Sequence, residues 1–66
     1  MTDEQRVAYI NAQIVCAQIE AMGMYAANLD REHKGQAPEY LQDAFDGLII
    51  KYGIHHNRVI GYFTGR

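Results

Sequence analysis

The chain has little of what small secreted or catalytic proteins rely on. Its 66 residues include one cysteine, Cys16, and one proline, with no serine and no tryptophan. A single cysteine excludes an internal disulfide scaffold and favours a reducing compartment, so we expect a cytoplasmic protein. Cys16 lies in an apolar helical stretch, where a cysteine ordinarily serves as a small buried side chain and not as a nucleophile.

The ionisable residues form no catalytic or metal-binding pattern. All eight acidic residues are scattered over the predicted outer faces of helices. His55 and His56 are adjacent, so on a helix they point about 100° apart and do not easily chelate one metal ion. The six glycines are spaced as helix ends and kinks, not as a phosphate-binding loop. The sequence therefore predicts a protein that is not an enzyme and needs no cofactor or metal.

Long apolar runs are also absent. Gln13, Gln18 and Glu20 interrupt the longest apolar stretch, so we expect no membrane span. The N-terminus opens with Asp3 and Glu4 and not with basic residues, which is unlike a secretory signal peptide. The sequence therefore predicts no membrane partner.

The length predicts one small helical domain that covers residues 1–66. A domain of about this size buries only about 60% of the surface of its unfolded chain, so a monomer is marginal. Neither disulfides nor a metal framework can supply the missing stability here. Self-association is the remaining usual remedy, and we expect a dimer or a higher oligomer.

The strongest local pattern is a long helix from Thr2 to about Lys34. Thr2 and Gln5 have the spacing of a capping box, in which each side chain binds a backbone N–H of the first turn. At the other end, cationic residues of the last turn are followed by Gly35, a typical helix C-terminus. We predict that residues 1–34 form the long helix and the oligomerisation element.

Two apolar stripes run along this helix at spacings of three and four residues, whereas a surface helix normally has one. The remaining chain is long enough to cover only one stripe well, so we predict that the second meets another chain. The alternative is one broad apolar arc that two short helices cover. The first stripe consists of Val7, Ile10, Ile14, Ala17, Ala21 and Met24. The second consists of Ala8, Ala12, Val15, Ile19, Met22, Ala26 and Leu29. The predicted oligomer interface is Ala12, Val15, Ile19, Met22, Ala26 and Leu29.

The sequence pattern of residues 38–66 predicts a helical hairpin. Pro38 suits the first position of a second helix over residues 38–52, and the short preceding loop makes this helix antiparallel to the first. Gly53 is expected to end it as a left-handed cap. A short third helix is predicted from His55 to about Phe63. A strand over residues 58–64 is the alternative, because β-branched and aromatic residues occur there.

The run from Leu48 to Gly65 resembles a helix-turn-helix, in which two helices cross at a tight turn that often contains glycine. In that superfamily an apolar residue follows the glycine, and a β-branched residue and a further apolar residue hold the second helix inward. The matching positions are Gly53, Ile54, Val59 and Tyr62, with Leu48 and Tyr52 in the first helix. The position four before the glycine, usually small in that superfamily, is Ile49. The resemblance implies a DNA-binding unit within residues 38–66.

Charge is distributed unevenly along the chain. Residues 1–50 hold all eight acids and three of the six Lys/Arg residues, a net charge of −5, and residues 51–66 carry +3. We therefore expect a small DNA-binding or regulatory protein that dimerises through the long helix and contacts duplex DNA through its last third. The predicted binding residues are Lys51, His55, His56, Asn57, Arg58 and Arg66.

An alternative to DNA binding stays open. The polar residues from His55 to Arg58 form an ordinary turn and helix start in the simpler interpretation. In that case the chain is an oligomeric protein-binding or ligand-binding module, such as an inhibitor or adaptor of the kind that phages encode. Its partner is then a larger protein or a small anionic ligand, bound by the second stripe and the C-terminal aromatic and basic residues.

Overall fold

The computed structural model describes residues 1–64, except for the side chain of Thr64, and this part of the chain is all helical. Helix α1 runs from Asp3 to His33, α2 from Gln42 to Lys51, and α3 from His56 to Thr64. The predicted all-α fold is confirmed. Residues 58–64, for which a strand was the alternative, are helical.

Helix α1 begins and ends as its sequence predicts. The Gln5 backbone N–H donates to the Thr2 hydroxyl oxygen at 3.1 Å, and the Thr2 N–H donates to Oε1 of Gln5 at 2.9 Å. At the C-terminus Gly35 has φ +72°, a left-handed conformation that glycine adopts without strain. This turn lets the Gln36 N–H donate to the Arg31 carbonyl at 2.8 Å. Both ends of the helix are therefore fixed by local chemistry.

Helix α2 starts later than predicted, at Gln42 and not at Pro38. The reason is a contact between residues far apart in sequence. The Asn28 side chain donates to the Tyr40 carbonyl at 2.7 Å and accepts from the Tyr40 N–H at 2.9 Å. A helix that started at Pro38 would use the Tyr40 carbonyl to accept from the Ala44 N–H. The segment before Gln42 therefore stays non-helical, and Leu41 is extended with φ −103° and ψ −178°.

The end of α2 matches its prediction. Gly53 has φ +65° and its N–H donates to the Ile50 carbonyl at 3.1 Å. The Ile54 N–H then donates to the Ile49 carbonyl at 3.0 Å, which completes a Schellman motif. The predicted left-handed cap is therefore confirmed, and it turns the chain into α3 over a four-residue connection.

The second half of the chain runs back along α1. Tyr40 contacts Asn28, Lys51 contacts Glu20, and the Tyr62 ring contacts Tyr9, so increasing residue numbers in one half meet decreasing numbers in the other. Both α2 and α3 pack on α1. This path agrees with the predicted antiparallel arrangement.

The resulting molecule is long and flat. Its extents are 49 × 18 × 10 Å, so it is one helix thick in its shortest dimension. Its radius of gyration is 15.2 Å, whereas a compact chain of this length has about 11 Å. Within the described residues the buried apolar side chains are Ala17, Met24 and Leu48. The core is thin because two adjacent helical rows enclose little volume.

Candidate functional site

The second stripe of α1 is exposed to solvent along the whole helix. Ile19 is 63% exposed and Met22 is 68% exposed, while the alanines of the stripe are exposed as well. The stripe lies roughly opposite the buried Ala17 and Met24 on the helix. The chain therefore buries Ala17 and Met24 of the first stripe and leaves the second stripe open, and the broad-arc alternative does not describe the fold.

The spacing within the second stripe is that of a coiled-coil seam. Its residues alternate by four and three over more than three turns, which places them at the a and d positions of a heptad repeat. The seam mixes alanines with larger side chains. The e position, which flanks the seam on one side, holds Tyr9, Cys16, Gly23 and Asp30. Cys16 is exposed on this flank of the seam, so the prediction of a buried cysteine is wrong. The reason is that α2 and α3 leave this flank of α1 uncovered at Cys16.

A second feature is a cleft between α1 and the connection from α2 to α3. Its volume is about 240 Å³, and its lining holds Lys51, His55 and Arg58 together with tyrosines. Three of the predicted binding residues therefore lie around one space. The fold brings them together because the turn at Gly53, between α2 and α3, lies beside α1.

Lys51 forms an ion pair with Glu20 on α1. This hydrogen bond lowers the pKa of Glu20 below its ordinary value and raises the pKa of Lys51. Lys51 also lies 5.5 Å from the centre of the Tyr52 ring. Its positive charge is therefore partly offset by a carboxylate of its own chain.

Arg58 has aromatic neighbours and no carboxylate partner within residues 1–64. Its guanidinium lies 5.4 Å from the centre of the Tyr62 ring, and its Nε donates a long hydrogen bond of 3.4 Å to the Tyr62 hydroxyl. This hydroxyl raises the pKa of Arg58 further above its ordinary value. Tyr62 is itself held by an edge-to-face contact with Tyr9 at 5.5 Å between ring centres.

The other predicted binding residues lie outside the cleft. His56 and Asn57 are exposed in the first turn of α3, whereas His55 is half-buried just before it. Arg66 lies outside the described residues. The prediction therefore named residues in two places, three around the cleft and two on the open surface of α3.

Sequence reasoning missed the residues that α1 contributes to the cleft. Tyr9 and Gln13 line it from α1, and the Gln13 side chain donates to the Tyr52 carbonyl at 3.2 Å. Both lie in the polar positions between the two apolar stripes, which gave no signal of a shared site. Only the return of the chain along α1 brings them to Arg58.

Other kinds of site find no support in the described part of the chain. No group of three or more His, Cys, Asp or Glu side chains is placed to hold a metal ion within residues 1–64. In the same range, no helix is both long and apolar enough to cross a membrane. Comparison of the chain with protein-family models, curated proteins and solved structures gave no match. The two surface features, the second stripe and the cleft, are therefore the candidate functional sites.

Proposed function

We propose that the chain is a non-enzymatic interaction module that works as a homodimer through the second stripe of α1. The observation that carries this proposal is the continuous exposed apolar stripe, with Val15, Ile19 and Met22 each more than half exposed at its centre. Exposed apolar side chains scattered singly are ordinary, but a contiguous stripe marks an interaction surface. A second copy of the chain presents the same stripe and can cover it.

The surface area supports the same partner. The chain has 5065 Å² of accessible surface, whereas a compact monomer of this mass exposes roughly 4,200 Å². A specific dimer buries about 800 Å² on each partner. Pairing of two copies through the stripe would therefore bring the exposed surface of each chain close to that of a compact protein.

We further propose that the two copies of α1 pair in an antiparallel orientation. In a parallel pair, Ala12 would face Ala12 and Ala26 would face Ala26, which leaves the seam poorly filled. In the antiparallel register, small residues face large ones, the arrangement that fills a core without voids. Opposed helix dipoles add to this preference. The facing pairs would be Ala12 with Leu29, Val15 with Ala26, and Ile19 with Met22.

Crosslinking tests both the dimer and its orientation. In the antiparallel register, Cys16 of one copy lies beside Gly23 of the other copy. We expect the Gly23→Cys variant to give a covalent dimer with a short bis-maleimide, through the native thiol of one copy and the new thiol of the other. No described atom outside the local backbone lies within 4 Å of a Cβ at position 23, so the substitution leaves the chain fold unstrained.

Asn11→Cys is the matched control for the crosslinking experiment. It places a thiol on the other flank of the seam, beside Cys16 of the partner only if the helices are parallel. Efficient crosslinking of Asn11→Cys and not of Gly23→Cys would overturn the antiparallel arrangement. A monomeric mass in light scattering at about 100 μM, with neither variant crosslinked, would overturn the dimer itself.

DNA binding is the second candidate function, favoured by the charge of the last third of the chain. Residues 51–64 contain Lys51 and Arg58 and no acid, and His56 and Asn57 are exposed at the start of α3. The ion pair of Lys51 with Glu20 weighs against it, because phosphate contacts dominate affinity for DNA. For this reason we place the self-associating module first.

Salt dependence of binding separates the two candidates. With a labelled random duplex, a DNA-binding protein should show anisotropy that rises at about 50 mM salt and weakens steeply by about 200 mM. We expect no binding at either salt concentration if the chain is an interaction module. If binding occurs, Arg58→Ala should weaken it, whereas Lys34→Ala should not, because Lys34 lies at the far end of α1 and pairs with Asp30.

A further inference from the structure

The cleft beside Gly53 combines positive charge with hydrogen-bond donors. Its lining is Tyr9, Gln13, Ile50, Lys51, Tyr52, Gly53, His55, Arg58 and Tyr62. This set includes a histidine, three tyrosines and two cationic residues, of which Arg58 has no carboxylate partner in the described residues and Lys51 is paired with Glu20 outside the lining; no lining residue is a carboxylate. The chain as a whole has a net charge of −2, whereas the charged residues of this lining, Lys51 and Arg58, are both cationic. The lining therefore favours an anion over a neutral or cationic ligand.

Arg58 is placed to bind such an anion. Its Nη groups make no hydrogen bond in the part of the chain that the structure describes, because its contacts with Tyr62 use Nε and the face of the ring. The ring contact restricts where the guanidinium can lie. Arginine binds carboxylate and phosphate groups through paired N–H donors, and a restrained guanidinium loses less entropy on binding.

The neighbouring groups add donors around the same space. The hydroxyls of Tyr9 and Tyr62 can each donate one hydrogen bond, and His55 lies at the start of α3, where the helix dipole is positive. The rigid turn at Gly53 closes one side of the cleft, since the Tyr62 hydroxyl lies only 2.7 Å from where a Cβ would be. These groups converge because α1, the turn and α3 each contribute to the lining.

The geometry points to a binding site for a small oxyanion, in which Arg58 contacts a phosphate or carboxylate group and the tyrosine hydroxyls complete its hydrogen bonds. The volume of about 240 Å³ is smaller than the roughly 300–1,000 Å³ of sites for drug-sized ligands. We therefore propose a free small anion as the ligand. The lining includes no residue of the second stripe, although Tyr9 flanks it, and all lining residues belong to one chain, so this proposal does not require the dimer.

Inorganic phosphate is the probe for this site. We expect titration of the ¹⁵N-labelled protein at constant ionic strength, with chloride replaced by phosphate, to shift amide resonances of Gly53, His55, Arg58 and Tyr62. Arg58→Gln should weaken phosphate binding about tenfold or more, since charge-assisted hydrogen bonds are about twice as strong as neutral ones. Lys34→Gln is the matched control: it removes one cation at the far end of α1 and should leave the affinity unchanged.

One further variant and one competing anion keep the test decisive. Tyr62→Phe retains the ring under Arg58 and removes only the hydroxyl, so it should weaken phosphate binding. This variant tests the site even if Arg58→Gln does not fold. Acetate should compete with phosphate for the cleft and shift the same amide resonances, as expected for a general oxyanion site. Shifts spread evenly over all basic residues, equal affinity in Arg58→Gln and the wild type, or shifts that only duplex DNA produces would each overturn the proposal.

Discussion

Replacement of Ile19 by aspartate is expected to convert the dimer into monomers. In the single chain, Ile19 is 63% exposed, so a carboxylate there costs the fold of one protomer little. In the proposed dimer, Ile19 lies at the centre of the seam opposite Met22 of the partner. Each of the two substitutions would lose roughly 1.5–3 kcal/mol of apolar burial. The added charge would also lie in an apolar interface, so we expect dimerisation to weaken at least about a hundredfold.

Sedimentation equilibrium over a range of concentrations measures this effect. Asn57→Asp is the matched control, because it adds the same charge at an exposed position of α3, outside the stripe and its flanks, and should remain a dimer. Circular dichroism at low concentration would show whether Ile19→Asp monomers keep their helices. An unchanged mass for a folded Ile19→Asp variant would place the contact between copies elsewhere, or remove it.

Gly53→Ala is expected to lower the free energy of unfolding more than alanine substitution at Gly35 or Gly47. Gly53 has φ +65°, where a non-glycine residue loses roughly 1–2 kcal/mol. The new Cβ would also lie 2.7 Å from the Tyr62 hydroxyl and 3.3 Å from Cγ of Arg58. The end of the Tyr62 side chain would have to shift to make room for it. We expect a total loss of about 2–3 kcal/mol in the free energy of unfolding.

Two other glycines separate the causes of this loss. Gly35 has φ +72°, and no described atom lies within 4 Å of an added Cβ, so Gly35→Ala should show the backbone strain alone. Gly47 lies within α2 with open space around it, so Gly47→Ala should raise stability by about 1 kcal/mol. Urea unfolding at equal protein concentration measures all three variants. Equal losses for Gly53→Ala and Gly35→Ala would show that Tyr62 does not pack against the turn.

These two substitutions act on different parts of the proposed protein. Ile19→Asp should separate the copies and leave the phosphate response of the cleft intact, provided that the monomer stays folded. Gly53→Ala should disturb the cleft and leave the second stripe of α1 in place. The two variants therefore show whether self-association and anion binding are separate properties, as the absence of second-stripe residues from the lining of the cleft indicates.

Local sequence was sufficient to predict the ends of most helices. Thr2 and Gln5 start α1 through bonds three residues apart, and Gly35 and Gly53 end helices through turns within six residues. The two apolar stripes could also be read from spacing, since helical periodicity alone decides which residues share a face. Each of these features depends on residues that are close in sequence.

Tertiary contacts decided what spacing could not. The Asn28 side chain holds the backbone of Tyr40, twelve residues away, and so moves the start of α2 to Gln42. Glu20 accepts a hydrogen bond from Lys51, which lies 31 residues away in the sequence. A pattern-based prediction had no means to choose these partners, because their sequence positions carry no common period.

The sequence alone thus determined an all-α chain with a long, two-faced first helix, because helix caps and apolar periodicity are local properties. Only the tertiary structure decided which face of α1 is covered, that Cys16 lies on the open side, and that Tyr9 joins Arg58 and Tyr62 at a cleft. The physical reason is the return of the chain along α1. It brings together polar groups from distant positions, whose pairing depends on packing geometry.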